Sequence, residues 1–179
     1  SLEKHSKNFI NLSPFVVISS KGKNGHADVS PRGDSVGFVK IQDDKTIIIP
    51  DRSGNNRLDT LENIIFDPSV GTLFFIPGIN TVLRINGNAF IEDSLEIRAQ
   101  FEINNNIPKT CIIINIEEIF MHCAKALMRS SFWDHSKYLP QTKFPTISKI
   151  INDQLNSEDD EQNHEQEDIR YKKQIIKFG

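Results

Sequence analysis

Ile47-Ile48-Ile49-Pro50-Asp51-Arg52-Ser53-Gly54-Asn55-Asn56-Arg57-Leu58-Asp59-Thr60-Leu61 is the stretch on which the fold turns. Three successive β-branched residues read as a buried strand that stops at Pro50. The next seven residues carry two arginines, a glycine and two asparagines, which is loop chemistry. From Leu58 the apolar positions fall at Leu58, Leu61, Ile64 and Ile65, a 3.6-residue stripe that predicts a helix over 57–66, ended by Asp67-Pro68. A strand thus runs through an arginine-bearing loop straight into an amphipathic helix.

That junction favours an anion. The first N–H groups of a helix have no intrahelical acceptor, and the helix dipole adds partial positive charge there. Arg52 and Arg57 can add charge-assisted, bidentate hydrogen bonds to phosphate oxygens. A competing reading has Asn56 capping the helix while the arginines pair with Asp51 and Asp59.

Outward from this stretch the pattern stays β. Apolar, β-branched runs at 15–19, 27–30, 36–41, 46–50, 70–77, 82–91 and 111–120 are separated by turn residues at 21–25, 31–34, 42–45 and 77–80. The short connections favour antiparallel neighbours, because a parallel crossover needs about a dozen residues or more. A mainly β barrel is expected. Short helices are expected at 94–101, 121–129 and 146–155.

Alternation in Gly25-His26-Ala27-Asp28-Val29-Ser30-Pro31-Arg32-Gly33-Asp34 puts Ala27, Val29 and Pro31 on one face and Asp28, Ser30 and Arg32 on the other. The polar face could line a ligand groove or simply meet solvent. His26 and Asp28 have no third residue at metal-ligand spacing, so no metal site is expected. In Phe120-Met121-His122-Cys123-Ala124-Lys125-Ala126-Leu127-Met128-Arg129-Ser130-Ser131-Phe132-Trp133-Asp134, a helix would put His122, Lys125 and Arg129 on one face.

The 179 residues suit one domain with appendages. No apolar run approaches the ~20 residues that span a bilayer. The first residues lack a secretory pattern, and two cysteines are too few for a disulfide framework, so a cytoplasmic protein is expected. The net charge of −3 is uneven: eight acidic and no basic residues lie between Asp153 and Asp168, leaving 21 basic against 16 acidic elsewhere. With its arginines gathered in one loop, the mildly basic body suits a small phosphate-bearing ligand better than a nucleic acid. The expected organisation is one domain over 1–156, with an N-terminal helix, and an acidic, solvated extension over 157–179.

Together these blocks resemble the pyridoxamine-phosphate-oxidase-like flavoproteins, the FMN-binding split-barrel family, and within it a bacterial subgroup. The matching residues are Asp28-Val29-Ser30-Pro31-Arg32-Gly33-Asp34, the stretch from Ile49 through Asn63, Leu83-Arg84-Ile85-Asn86-Gly87-Asn88-Ala89, and His122-Cys123-Ala124-Lys125-Ala126-Leu127 with Arg129-Ser130 and Trp133-Asp134.

The resemblance implies a six-stranded antiparallel split β-barrel with flanking short helices, forming a homodimer with one FMN in each of two clefts between subunits. By the same likeness, Ser30 and Arg32 run beside the flavin, and the loop of Pro50, Asp51, Arg52, Asn55, Asn56 and Arg57 holds its phosphate. Lys125, Arg129 and Trp133 approach the cofactor from the partner subunit. The implied activity is an FMN-dependent oxidoreductase acting on a small-molecule substrate, with NAD(P)H a candidate electron donor and neither nucleic acid nor membrane a partner. The alternative is a non-catalytic flavin or haem binder of the same fold, with His122 as axial ligand. Family members that oxidise vitamin B6 carry a Trp and an Arg in a C-terminal segment. Here that stretch reads Gln174-Ile175-Ile176-Lys177-Phe178-Gly179, so vitamin B6 turnover is not expected.

Overall fold

The computed structural model describes residues 1–52, 54, 57–157 and 159–178, in two compact units, Ser1–Trp133 and Asp134–Gly179. The sequence-based boundary at 156 falls inside the second unit. The first unit runs α1 (Lys4–Leu12), β1 (Phe15–Lys21), β2 (Ala27–Gly33), β3 (Lys40–Asp43), β4 (Thr46–Pro50), α2 (Asp59–Phe66), β5 (Ser69–Phe75), β6 (Val82–Glu92), α3 (Leu95–Arg98) with a 3-10 turn at Ala99–Phe101, β7 (Cys111–His122) and α4 (Lys125–Arg129).

All strands pair antiparallel in one sheet, in the order β2-β1-β5-β6-β7-β4-β3. This is the mainly β split barrel with flanking helices. The resemblance implies six strands; seven pair here, one for each apolar run of the sequence. The run at 36–41 starts its strand late, at Lys40, because Gly37 has φ +82° and turns the chain while Phe38 and Val39 are buried behind it. The turn expected at 31–34 comes later, since β2 stays paired through Gly33. Pro31 is tolerated because β2 is an edge strand.

Period-2 alternation builds one core from both halves of the sheet. Val16 and Ile18 of β1, Ile47 and Ile49 of β4, Ile85 of β6 and Ile112 of β7 belong to a single buried cluster, joined by Ile64 of α2. On the other face, Ile48, Cys111 and Ile113 are covered by Phe101. Burial there pushes the Cys111 thiol up to about 11, so it stays protonated and inert. The register of β6 against β7 shifts between Asn86 and Gly87, at a bulge where a Cβ on residue 87 would lie 2.1 Å from the Asn115 carbonyl oxygen.

The second unit pairs α5 (Ile147–Leu155) with α6 (His164–Phe178). The acidic stretch, expected to be solvated, is mostly exposed, and two of its residues are tied to α5. Glu167 accepts from the N–H groups of Ile147 and Ser148 (3.1 and 2.9 Å), capping α5, and Asn152 donates to the Asp159 carbonyl (2.7 Å). The two N–H groups hold the Glu167 carboxyl below its usual range. A lowered pKa places the cap's contribution above about pH 4.3, and it disappears as acid protonates Glu167.

Two outcomes follow from this packing. Gly87→Ala should cost roughly 1–3 kcal/mol, because backbone must move to admit the methyl group; a chemical-denaturation midpoint equal to wild type would show that the bulge has slack. On acid titration the full chain should lose a helical circular-dichroism step below about pH 4 that Glu167→Gln, lacking the titrating cap, does not show.

Candidate functional site

The pairing of β2 with β1 fixes which way its side chains face. Arg32 lies opposite Val16, Ser30 opposite Ile18 and Asp28 opposite Ser20, and directly opposed residues share a face. Val16 and Ile18 are core residues, so Asp28, Ser30 and Arg32 form a polar row on the core-facing side of an edge strand. Pro31 and Val29 take the other face, as the alternation predicts.

Where β2 ends it meets the end of β4. Arg32 donates through Nη1 to Asp51 Oδ1 at 2.5 Å, and Arg52 donates through Nε to Asp34 Oδ2 at 2.8 Å. Both pairs are largely buried, with side chains 16 and 20% exposed in the first and 15 and 17% in the second. Arg52 Nη1 also donates to the Phe101 carbonyl at 2.8 Å. The two pairs are crossed: each end supplies one cation and one anion. The four charges therefore sum to zero.

Among the described residues, Arg32 Nε and the Thr110 hydroxyl are both buried without a hydrogen-bond partner. Thr110 belongs to the same corner, since its carbonyl accepts from the Asp51 N–H at 3.0 Å. Unsatisfied buried donors are uncommon and call for an acceptor. An oxygen-bearing cofactor such as FMN would supply acceptors for such a donor set.

On the helix side, Arg57 is 72% exposed and donates from Nε to Asp59 Oδ2 at 2.7 Å. This is one of the pairings of the competing reading. Asp51 pairs with Arg32, not with an arginine of its own loop. The helix starts at Asp59, two residues later than the stripe suggests, and Leu58 at its N-cap gives no side-chain cap. Asp59 and Glu62 in the first turn already offset part of the helix dipole. Asn55 and Asn56, expected phosphate contacts, and Ser53 lie outside the described residues.

The third block differs from its sequence reading. His122 is the last residue of β7, opposite Val82, so it does not share a helical face with Lys125 and Arg129 of α4. Strand pairing outweighs the helical spacing there. Trp133 donates from Nε1 to the Ile79 carbonyl at 3.0 Å, on the β5–β6 connection. Among the described residues, no hydrogen bond or ion pair joins Lys125, Arg129 or Trp133 to Arg32, Asp51 or Arg52. Within this one subunit, then, Ser30, Arg32, Pro50, Asp51 and Arg52 come together, and the third block does not join them.

Asp34, Phe101 and Thr110 were missed. Asp34 sits two residues beyond Arg32 at the end of an alternating run, which is a usable signal. The other two act here through a backbone carbonyl and through a strand-end position, and neither leaves a mark in composition.

The family model for pyridoxamine 5'-phosphate oxidase matches residues 2–123. Among solved structures, HupZ of Group A Streptococcus superposes with a TM-score of 0.55 at 20% identity, over 68% of this chain and 94% of that one. A Lactobacillus delbrueckii protein named after pyridoxamine 5'-phosphate oxidase gives 0.52 at 18% identity, covering 66% and 93%. An F420 reductase gives 0.50 at 11% identity, covering 66% and 98%. At these identities the likeness concerns the fold. No curated protein sequence matches the chain.

Removing Asp34 takes the carboxylate acceptor from Nε of the largely buried Arg52. Asp34→Ala is expected to cost about 2 kcal/mol, read as a lower urea midpoint. An unchanged midpoint would mean that the Arg52–Asp34 pair does not hold the two strand ends together.

Proposed function

Because this chain belongs to the pyridoxamine 5'-phosphate oxidase family, we propose that it is an FMN-dependent oxidoreductase acting as a homodimer on a small-molecule substrate, with NAD(P)H as candidate electron donor. The observation that carries the proposal is a coincidence of place. The family match spans residues 2–123, and within it the core-facing Ser30 and Arg32 meet Pro50, Asp51 and Arg52 at a corner with two unsatisfied donors.

FMN, when bound, supplies hydride acceptance and release at its flavin ring. The protein's part is binding and orientation. Loop 50–57 is the phosphate end of the site in this reading, with Arg57 at its helix side. The β2 row, with the Ser30 hydroxyl and the Arg32 guanidinium, is the ring side. Lys125, Arg129 and Trp133 are proposed to reach the cleft from the partner subunit. Cytoplasmic location, without nucleic-acid or membrane partners, is part of the same proposal; no helix among the described residues is long and apolar enough to cross a membrane.

A second reading, a non-catalytic flavin or haem binder, has His122 in its favour. Among the described residues the His122 Nε2 atom is buried without a partner, and its ring lies 4.7 Å from that of Phe120. The same burial counts against it, since an axial ligand must present that nitrogen to a metal.

The visible spectrum of the purified protein tests both. The two-banded yellow spectrum of a flavin, with flavin released on heating and bleaching by NADH or NADPH, is expected. A Soret band in its place selects the haem binder, and a colourless protein that takes up no added FMN defeats both. Arg57→Ala should weaken FMN retention about tenfold, or roughly 1.4 kcal/mol, with the dimer still folded; unchanged occupancy removes Arg57 from the phosphate end.

A further inference from the structure

The two halves of α6 are held in different ways. The first is anchored, with Glu167 buried on the N–H groups of Ile147 and Ser148. In the second, every residue from Tyr171 to Lys177 is exposed. That end carries two adjacent isoleucines, Ile175 and Ile176, 68 and 67% exposed, and Ile169 lies two turns before Ile176 on the same side of the helix. Single exposed apolar side chains are ordinary on a protein surface. A helix end exposed on every side is not, because so short a helix draws little stability from its own hydrogen bonds and needs a packed face.

Charge indicates what that face meets. Glu165, Glu167 and Asp168 stand in the first turns of α6, and Arg170, Lys172, Lys173 and Lys177 follow. The connection before the helix is acidic as well, with Asp160 exposed. Among the described residues, Asp160, Glu165, Lys172 and Lys173 enter no ion pair. The 15 residues of α6 span about 22 Å, so its acidic and basic ends cannot meet within one chain. A partner of one charge sign would match one half of the helix and repel the other. A second copy turned end for end sets each acidic end against the other's basic end, whereas a parallel copy sets like charges together.

We propose that α6 is a self-association surface, and that its occupant is α6 of a second copy packed antiparallel about a two-fold axis. The isoleucines supply the affinity. The exposed ion pairs, each of little net value, supply the direction. An isologous contact of this kind closes on itself at two chains. It adds to the proposed flavoprotein dimer and does not rest on the flavin reading.

The test uses a carbodiimide, which joins a carboxylate to an amine only where the two touch. The full-length protein is treated with it, the covalent dimer is recovered from a denaturing gel, and its joined peptides are mapped by mass spectrometry. The expected links are Glu165 to Lys173 or Lys177, and Asp168 to Lys177. The two ends of each link lie about 12 Å or more apart along one helix, so such links form only between chains. Two charge-reversed chains complete the experiment, Lys172→Glu with Lys173→Glu and Asp160→Lys with Glu165→Lys. Each alone should give at least fivefold fewer links between α6 helices, and the two refolded together should restore them, because their ends are again complementary.

A covalent dimer without links between α6 helices would overturn the proposal, as would one in which Lys172 and Lys173 are joined only to carboxylates of the first unit. So would links that persist in both reversed chains alone, or that fail to return in the mixture. The visible spectrum is read separately, so the flavin reading and this one fail independently.

Discussion

The crossed pairs Arg32–Asp51 and Arg52–Asp34 decide how the sheet closes. A seven-stranded antiparallel sheet has two free edges, here β2 and β3, and burial of isoleucines and valines does not say which strand ends must meet. Apolar contact is non-directional. Two ion pairs of opposite polarity are directional: each end of the seam accepts only the other, in one register. Their value lies in that choice. Desolvating four charges offsets most of the Coulomb attraction they gain, so the pairs are poor sources of net stability and good sources of specificity.

The same seam shows why part of the site was legible and part was not. Ile47 to Ile49 predict β4, and the alternation from Ala27 to Arg32 places Ser30 and Arg32 on the core face, because both readings need only local periodicity. The arginine partners needed the tertiary fold. Asp51 and Arg52 are chain neighbours, and neighbours in extended chain point to opposite sides. They could not pair with each other, and each found a partner at the end of β2, 19 and 18 residues away. Arg57 and Asp59 do pair locally, and that contact was among the readings the sequence allowed.

Local rules also failed where a longer-range pairing outweighed them. The 122–129 spacing suits a helical face, but Val82 holds His122 in β7 and the helix waits until Lys125. The acidic stretch after Asp153 has the composition of a solvated tail. Composition averages over residues, however, and one carboxylate at the right place is enough to change the outcome. Glu167 caps α5, and the buried Asn152 ties down the connection at Asp159.

A seam whose charges cancel has a consequence for the site that lies on it. With two guanidinium groups and two carboxylates in balance, the corner closes without help from a ligand, so the fold does not require the cofactor for charge compensation. The two paired carboxylates also offset the field that the two guanidinium groups would otherwise project. What the corner offers instead is a guanidinium plane fixed by the pairing of Arg32 with Asp51, with Ser30 on the same face of β2. Recognition built on donor geometry favours oxygens at the spacing of one phosphate or carboxylate over diffuse negative charge. It is also less sensitive to salt than recognition built on net charge, since screening acts on long-range fields and much less on largely buried contacts. The loop arginines looked from the sequence like an electrostatic trap, and in the fold Arg52 joins Arg32 and two carboxylates in a neutral joint between two strand ends.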